Sequence, residues 1–402
     1  MSTRHRRRVA CGTLALLAGL ATAGCGPDPN AEQSAEQVPD NAILIGLSTP
    51  LSGSLAGVGE HNRWGAELAV EEINAAGGIN GRPLGLVAED NACNPAEGAN
   101  VATRFADNPD VVGILGAFCS SVTLATMPVV LDAEVPLVIG VSSTPDITEQ
   151  SGTGGNDWAF RITPSDTDMA IGLAKYLSDN EDVDRISYVA EDSDYGRGGA
   201  QALIDELEKD GVEVASTDYF AQGTTDFSTI LAKVRGERPD MLAIFAVGAD
   251  DVNFAKQFLS TGMAADISLT GRPALDLYER EGLLGSGDLD SANGVMQYSA
   301  GVDTPENKEF VAAFTEKFDQ EPVVQSFHGY LQAKVLADAI ERAGSADRAA
   351  VREALETTDL PSPLGGRITF DEHNQAYDHA VVRGVKDGEE VVLDVITTSP
   401  GN

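Results

Sequence analysis

Short apolar runs alternate with longer amphipathic segments along most of the chain. The runs span about five residues, whereas apolar residues in the segments between them recur every three or four positions. Strands that alternate with helices in this way favour a parallel sheet with helices on both faces. In the first part of the chain the predicted strands are 42–47, 84–88, 111–115 and 136–141, with helices at 61–76, 95–105 and 124–132.

The same alternation begins again after residue 163. The predicted strands of this second series are 186–190, 212–215, 241–247, 267–270 and 294–298, and its helices are 167–177, 199–208, 227–234 and 252–259. Three helices at 307–318, 327–342 and 348–356 then lead to strands at 367–370, 378–384 and 389–396. Asp387-Gly388 between the last two strands is a hairpin signal. The chain of 402 residues is therefore predicted to form two α/β lobes.

The first 40 residues follow neither pattern. Four arginines precede an apolar stretch at 9–23 that is too short to span a bilayer, and this is typical of a signal peptide. The ending Thr22-Ala23-Gly24-Cys25 resembles the bacterial lipobox, in which the cysteine receives lipid, although Thr22 stands where Leu or Val is usual. We predict a signal peptide at 1–24, lipidation at Cys25, and a polar tether at 25–40. The protein would then be exported and anchored to the outer face of the cell membrane.

The net charge argues against two classes of partner. The full chain carries 27 basic and 63 acidic residues, a formal charge of −36. The predicted signal peptide contains four arginines and no acid, so its removal lowers the charge from −36 to −40. Such an excess of negative charge repels nucleic acid and anionic membrane surfaces.

The four cysteines have different predicted fates. Cys11 lies in the signal peptide and Cys25 is the lipidation site, so that Cys93 and Cys119 remain. An exported chain favours a disulfide between these two cysteines. Two unpaired buried thiols are the alternative.

No enzyme motif is present in the sequence. It lacks a G-x-G-x-x-G that opens a helix, a P-loop, H-E-x-x-H, G-x-S-x-G and C-x-x-C. The acidic run 191–194 lacks the glycine and terminal glutamate of an EF-hand and is interpreted as a solvated loop. The remaining histidines, His61, His328, His373 and His379, are scattered without the spacing of metal ligands. We therefore predict a binding protein without a cofactor or metal, rather than an enzyme.

Hydroxyl and acidic residues follow several predicted strands, at the ends where ligands bind in parallel sheets. Ser120 and Ser121 follow the strand at 111–115 and precede a helix. A strand, a hydroxyl-rich turn and a helix together direct backbone N–H and hydroxyl groups at an anion. We predict that this turn holds the carboxylate of a small ligand, with helix capping as the alternative role.

Several stretches carry motifs of a known family. They are Ile45-Gly46 with Pro50-Leu51-Ser52-Gly53, the segment 65–81, and Asp90-Asn91-Ala92-Cys93-Asn94-Pro95 with Cys119-Ser120-Ser121. Shorter matches follow at 143–145, 164–166 and 194–196. These motifs resemble the branched-chain amino-acid-binding proteins, type I periplasmic binding proteins that deliver solutes to ABC importers. The resemblance covers residues 41–398.

The resemblance implies a two-lobe periplasmic-binding-protein type I fold. Each lobe would be a mainly parallel sheet flanked by helices, and three hinge crossovers would let the lobes close on a ligand. One lobe would comprise 41–163 with 299–364, and the other 164–298 with 365–398. The family also implies a disulfide between Cys93 and Cys119, a membrane permease as partner, and a monomer.

The family further suggests which residues bind the ligand. In relatives, the positions of Ser120, Ser121, Ser142 and Ser143 bind an α-carboxylate. In the second lobe, Tyr195 matches an aromatic lid and Asp166 an acid that contacts an ammonium group. The alternatives are packing beneath a loop for Tyr195 and helix capping for Asp166.

The sequence departs from the branched-chain binders at the positions that set specificity. Leucine-type binders have a carboxylate at about the position where this chain has Arg272. Unless it faces solvent, Arg272 would repel an ammonium group and attract a second anionic group. Val58 and Val247 stand where relatives often carry aromatic residues. We expect an amino acid or related small carboxylate as ligand. The alternatives are a urea or amide, an aromatic carboxylate, or a ligand-sensing role for a receptor.

Overall fold

The computed structural model describes residues 39, 41–376 and 379–397. The predicted signal peptide, the lipidation site Cys25 and nearly all of the predicted tether lie outside these residues. Within the described part, none of the helices is both long and apolar enough to cross a membrane.

The first half of the protein builds a five-stranded sheet. All its neighbouring strands are parallel, in the order β2-β1-β3-β4-β5. The central strand β3 is buried at every position, which explains why it is a continuous apolar run in the sequence. The elements are β1 (Ile43–Thr49), α1 (Ala56–Ala75), β2 (Leu84–Asp90), α2 (Pro95–Asp107), β3 (Val111–Leu115), α3 (Ser120–Ala133), β4 (Leu137–Ile139), α4 (Pro145–Gln150) and β5 (Ala159–Arg161).

A second parallel sheet follows, with the strand order β7-β6-β8-β9. Its elements are α5 (Asp166–Asn180), β6 (Arg185–Glu191), α6 (Asp194–Lys209), β7 (Glu213–Phe220), α7 (Ser228–Glu237), β8 (Met241–Phe245), α8 (Ala249–Ser260), β9 (Ser268–Gly271), α9 (Leu275–Arg280) and β10 (Asn293–Met296). Strand β10 belongs to a separate antiparallel sheet that the C-terminal strands complete.

The C-terminal elements divide between the two halves. Helices α10 (Pro305–Phe318), α11 (Val324–Ala343) and α12 (Arg348–Glu356) are followed by the antiparallel pair β11 (Asp359–Pro361) and β12 (Arg367–Thr369), and by β13 (His379–Lys386) and β14 (Glu389–Thr397). Helix α11 contacts α1, β3 and β4, whereas β13 pairs with β10 and β14. The chain therefore crosses between the halves three times, as the fold prediction requires. The residue limits of the lobes stay a prediction.

The predicted hairpin at Asp387-Gly388 is confirmed. Lys386 pairs with Glu389 across it, and the two turn residues have φ angles of 54° and 81°. A two-residue type I′ turn requires positive φ at both central positions, which Asp-Gly adopts at low cost.

Two glycines let helices α1 and α11 approach closely. A methyl group on Gly65 would lie 1.9 Å from the Ser326 carbonyl oxygen, and one on Gly329 would lie 2.0 Å from the Asn62 carbonyl oxygen. The Asn62 side chain also donates to the Gln325 carbonyl oxygen at 3.1 Å. This packing fixes the first turn of α11 next to the functional cleft described below.

The predicted element boundaries differ from the structure mainly at polar ends. Helix α3 begins at Ser120, four residues before the predicted start, because three of the four residues in its first turn carry hydroxyl groups and do not continue the apolar pattern. The predicted strand at 241–247 ends at Phe245. Helices α4 and α9 were not predicted, since six residues are too few to establish a helical period.

Candidate functional site

A cleft of about 760 Å³ lies beyond the carboxyl ends of strands from both parallel sheets. In each sheet the strand order reverses at one point, between β1 and β3 and between β6 and β8, and α/β proteins bind ligands at such points. The lining residues are Leu55, Cys93, Phe118–Ser121, Val141, Ser142, Glu191, Ser193, Tyr195, Ala246–Gly248, Arg272, Ala274, Asp276, Leu277, Met296, Gln297, Val324 and Gln325.

The N-terminus of helix α3 forms one end of the cleft. Ser120 and Ser121 are the first two residues of α3 and both line the cleft. The N–H groups of a first helical turn have no partner within the helix, and together with the helix dipole they favour an anion. The Ser120 hydroxyl oxygen accepts a hydrogen bond from the Thr144 N–H at 3.4 Å, so its proton is left for another acceptor. This end of the cleft therefore presents several neutral donors.

Ser142 also lines the cleft, but its hydroxyl group is engaged within the protein. It donates to the Phe118 carbonyl oxygen at 2.9 Å and lies 2.6 Å from the Thr123 hydroxyl oxygen. The Thr123 oxygen also accepts from the Ala117 N–H at 3.2 Å. These bonds join the turn before α3 to the end of β4, so Ser142 fixes the shape of the turn that carries Ser120.

The same turn is held from its other side. A disulfide joins Cys93 to Cys119, with the Cα atoms 5.7 Å apart. The side chain of Asn91, which the sequence analysis did not single out, donates to the Ala117 carbonyl oxygen at 2.9 Å. A methyl group on Gly116 would lie 2.6 Å from the Ser48 carbonyl oxygen, and the φ angle of 144° also favours glycine there. The donors at the start of α3 therefore sit on a constrained loop.

Arg272, Asp166 and Ser143 form one buried cluster. An Arg272 Nη1 group donates to Asp166 at 2.6 Å and to the Ser143 hydroxyl oxygen at 3.0 Å. The side chains of Arg272 and Asp166 are only 5% and 1% exposed, so the solvent-facing alternative for Arg272 is wrong. Burial raises the pKa of Asp166, and the positive charge of Arg272 opposes that rise.

Only one member of this cluster reaches the cleft. Arg272 lines it, whereas Asp166 and Ser143 are not among the lining residues. The positive charge of Arg272 is already matched by a carboxylate. The contact of Asp166 with a ligand ammonium group stays an untested prediction, and the geometry gives Asp166 a structural partner instead.

Tyr195 lies in the first turn of α6 and lines the cleft. The centre of its ring is 5.1 Å from the Arg272 guanidinium carbon, a distance at which a cation–π interaction contributes. The predicted lid residue and the predicted anion-binding arginine thus contact one another.

Glu191 is a lining residue that the sequence analysis placed in a solvated loop. It is the last residue of β6, its side chain is 5% exposed, and its Oε2 atom has no hydrogen-bond partner within the described structure. Burial raises the pKa of Glu191; a hydrogen bond from Ser193 opposes this rise, and the nearby charge of Asp250 adds to it. The solvated-loop prediction is therefore wrong for Glu191. The sequence did contain a signal for this position in the cleft, because Glu191 directly follows a predicted apolar strand.

Most of the remaining wall is apolar. Val247, which replaces an aromatic residue of some relatives, lines the cleft itself. Val58 lies just behind the wall and packs with Leu55 and Phe118. Among the described residues, no group of three or more histidine, cysteine, aspartate or glutamate side chains is placed to hold a metal ion. The arrangement suits a small ligand with one anionic end and an apolar body.

Comparisons with known proteins agree with this architecture. Residues 42–389 match the family model described as periplasmic binding protein. An amino acid binding protein of Pseudomonas aeruginosa is 27% identical over 329 residues, which cover 80% of this chain and 84% of that protein. The crystal structure of a leucine-binding protein of Thermotoga maritima is similar with a TM-score of 0.77 at 27% identity, covering 88% of this chain and 99% of that one.

A solute-binding protein of an ABC transporter from Rhodopseudomonas palustris, solved in complex with benzoate, has a TM-score of 0.81. Its identity is 20%, over 90% of this chain and 98% of that chain, so it supports the fold alone. These similarities confirm the predicted two-lobe α/β fold. The three similar proteins are named as binding proteins, for amino acids, for leucine and for the solute of an ABC transporter respectively.

Proposed function

The chain belongs to the periplasmic binding protein family, and we propose that it is the solute-binding component of an ABC importer for an amino acid or related small carboxylate. The observation that carries this proposal is the start of helix α3, where Ser120 and Ser121 direct donors into a largely apolar cleft. The two lobes would close on the ligand like a clamp. The protein would be exported, lipidated at Cys25 and monomeric, and would deliver its ligand to a membrane permease.

The ligand carboxylate would be held by neutral donors instead of a free cation. The N–H and hydroxyl groups of Ser120 and Ser121 would supply charge-assisted hydrogen bonds, each contributing about 1.5–3 kcal/mol. Arg272 would add positive potential nearby, but its charge is matched by Asp166 at 2.6 Å. Tyr195 would then cover the ligand from the second lobe.

An aromatic carboxylate is the second candidate ligand. The apolar wall, including Phe118, Leu277 and Met296, suits a flat ring, and one solved protein of the same fold is in complex with benzoate. Such a ligand needs the same donors at Ser120 and Ser121. The two candidate ligands would therefore share the carboxylate-binding end of the cleft. They would differ in the chemical groups that contact its opposite end.

A thermal-shift panel tests the proposal. The exported chain is melted with each of the twenty common L-amino acids, benzoate and 4-hydroxybenzoate. A ligand at about one hundred times its dissociation constant should add about 2.7 kcal/mol of stability. If none of these compounds raises the melting temperature, the proposed ligand class is wrong.

A matched pair of variants locates the carboxylate end. Ser120→Ala removes a hydroxyl group at the first residue of α3 and should weaken the binding of any compound that scores in the panel. Ser228→Ala makes the same change at the first residue of α7, where the serine is exposed and outside the cleft. The Ser228→Ala variant should bind like the unaltered protein. Equal affinities for both variants would argue against a carboxylate at α3.

A further inference from the structure

Two acidic residues line the cleft, Asp276 and Glu191, and of these only Asp276 has a basic partner among the described residues. Arg272 forms an ion pair with Asp166 at 2.6 Å, and Arg383 pairs with both Asp276 at 3.2 Å and Glu390 at 3.0 Å. Glu191 forms no ion pair among the described residues, and the negative charge of Asp250 lies near enough to raise its pKa further. Glu191 is therefore a cleft-lining acid without a basic partner among the described residues.

This carboxylate is also short of hydrogen bonds. The Glu191 Oε2 atom is buried without a hydrogen-bond partner among the described residues. A buried acceptor without a donor is costly, and such groups are rare in native proteins. Glu191 lines the cleft, so a ligand bound there lies beside this residue.

The position of Glu191 fits a direct contact with the ligand. It ends strand β6, which lies between β7 and β8 at the point where the strand order of the second sheet reverses. The carboxylate-binding donors of Ser120 and Ser121 belong to the first sheet's side of the same cleft. A ligand that spans the cleft would therefore meet donors at one end and an acceptor at the other.

We propose that Glu191 binds a cationic amino group of the ligand and thereby selects zwitterionic amino acids over plain carboxylates. This inference rests on the proposed function. An ammonium group would neutralise the Glu191 carboxylate and donate a hydrogen bond to it. A benzoate-like ligand has no amino group and would leave the carboxylate without either interaction. The Arg272 guanidinium is engaged instead by Asp166 and Ser143 through its Nη1 group. The apolar wall would receive the ligand's side chain.

Matched ligands with and without the amino group test this assignment on the unaltered protein. The probes are L-leucine with 4-methylpentanoate and L-phenylalanine with 3-phenylpropanoate, each titrated by calorimetry. In each pair that binds, removal of the amino group should weaken binding by at least about tenfold, because a hydrogen bond to a charged group is lost.

Glu191→Gln tests the same contact from the protein side. This variant should bind the amino acid at least about tenfold more weakly and should bind the deaminated acid no more weakly than before. Asp192→Asn is the control, because Asp192 is the next residue along the chain and forms an exposed ion pair with Arg197. The control variant should keep the affinity of the unaltered protein for both probes.

The outcomes separate the two proposals. If 4-methylpentanoate binds the unaltered protein as tightly as L-leucine, or Glu191→Gln keeps full affinity for the amino acid, the role of Glu191 is refuted and the proposed function stands. If none of the four probes binds and no compound scores in the thermal-shift panel, the proposed ligand class fails and the assignment of Glu191 fails with it. If another amino acid scores in the panel, that amino acid and its deaminated analogue replace the probes; if only benzoate or 4-hydroxybenzoate scores, the proposed function stands and the role of Glu191 is refuted. If Glu191→Gln does not fold, the matched ligands on the unaltered protein decide.

Discussion

The ion pair between Asp166 and Arg272 is predicted to be a major determinant of stability at the cleft. Asp166→Asn keeps the shape of the side chain but removes its charge. The Arg272 side chain, which is only 5% exposed, is then left without a charged partner. Breaking a buried pair from one side costs about 3–5 kcal/mol, because the remaining charge is neither hydrated nor compensated. Arg272→Met should cost a similar amount for the same reason. The double variant should cost less than the sum of the two single variants, since it buries no unpaired charge.

Thermal unfolding followed by far-ultraviolet circular dichroism measures these effects. A loss of 3–5 kcal/mol should lower the melting temperature by roughly 4–7 °C in a protein of this size. Asp179→Asn is the matched control, because Asp179 forms an ion pair with Lys175 at 2.7 Å in which both side chains are more than half exposed. Exposed pairs contribute about 0–1 kcal/mol, so the control variant should melt close to the unaltered protein.

Two results would refute this reasoning. One is an Asp166→Asn variant that melts like the Asp179→Asn control, which would mean that water reaches the Arg272 charge. The other is a double variant whose loss equals the sum of the single losses, which would mean that the two charges do not interact. Either result would make Arg272 available to a second anionic group of the ligand.

Three further predictions concern packing, the disulfide and pH. Gly65→Ala should destabilise the protein by about 1–3 kcal/mol or more, since its methyl group would lie 1.9 Å from a carbonyl oxygen of α11, whereas Gly57→Ala in the same helix meets open space. Reduction of the Cys93–Cys119 disulfide should lower the free energy of unfolding by about 3–4 kcal/mol, because it closes a loop of 26 residues. Burial raises the pKa of Asp251 from 3.8 to about 7, so the folded state binds more protons than the unfolded state between these values, and stability is lost as pH rises through this window. Asp251→Asn should remove that dependence.

Each of these predictions has a contradicting outcome. Urea unfolding of Gly65→Ala and Gly57→Ala with equal midpoints would show that α1 and α11 have room to separate. An unchanged midpoint after reduction, in a protein whose free thiols are verified by mass spectrometry, would contradict the stabilising role of the disulfide. Equal slopes of melting temperature against pH for Asp251→Asn and the unaltered protein between pH 4 and 7 would contradict the raised pKa of Asp251.

The architecture was largely determined by local patterns in the sequence. A buried parallel strand must be apolar at every position and a covering helix must be apolar on one face, so β3 and its neighbours were found at nearly the observed bounds. The Asp387-Gly388 turn was found because few residues adopt positive φ at two successive positions. Ser120 and Ser121 were found because hydroxyl residues between a strand and a helix are a local signal.

The pairing of charges was decided only by the tertiary structure. Asp166 and Arg272 are 106 residues apart, and Ser143 and Arg272 are 129 residues apart, so no local pattern relates them. The sequence marked all three residues as candidates for the site, but packing places two of them outside the cleft lining. Glu191 is the opposite case, a residue that the sequence did not mark but that lines the cleft. Its acidic neighbours in the sequence predicted a solvated loop, whereas the fold buries its side chain. Local periodicity determines which residues face a core, whereas the partner of a buried charge depends on which distant side chains the closed fold brings within hydrogen-bond distance.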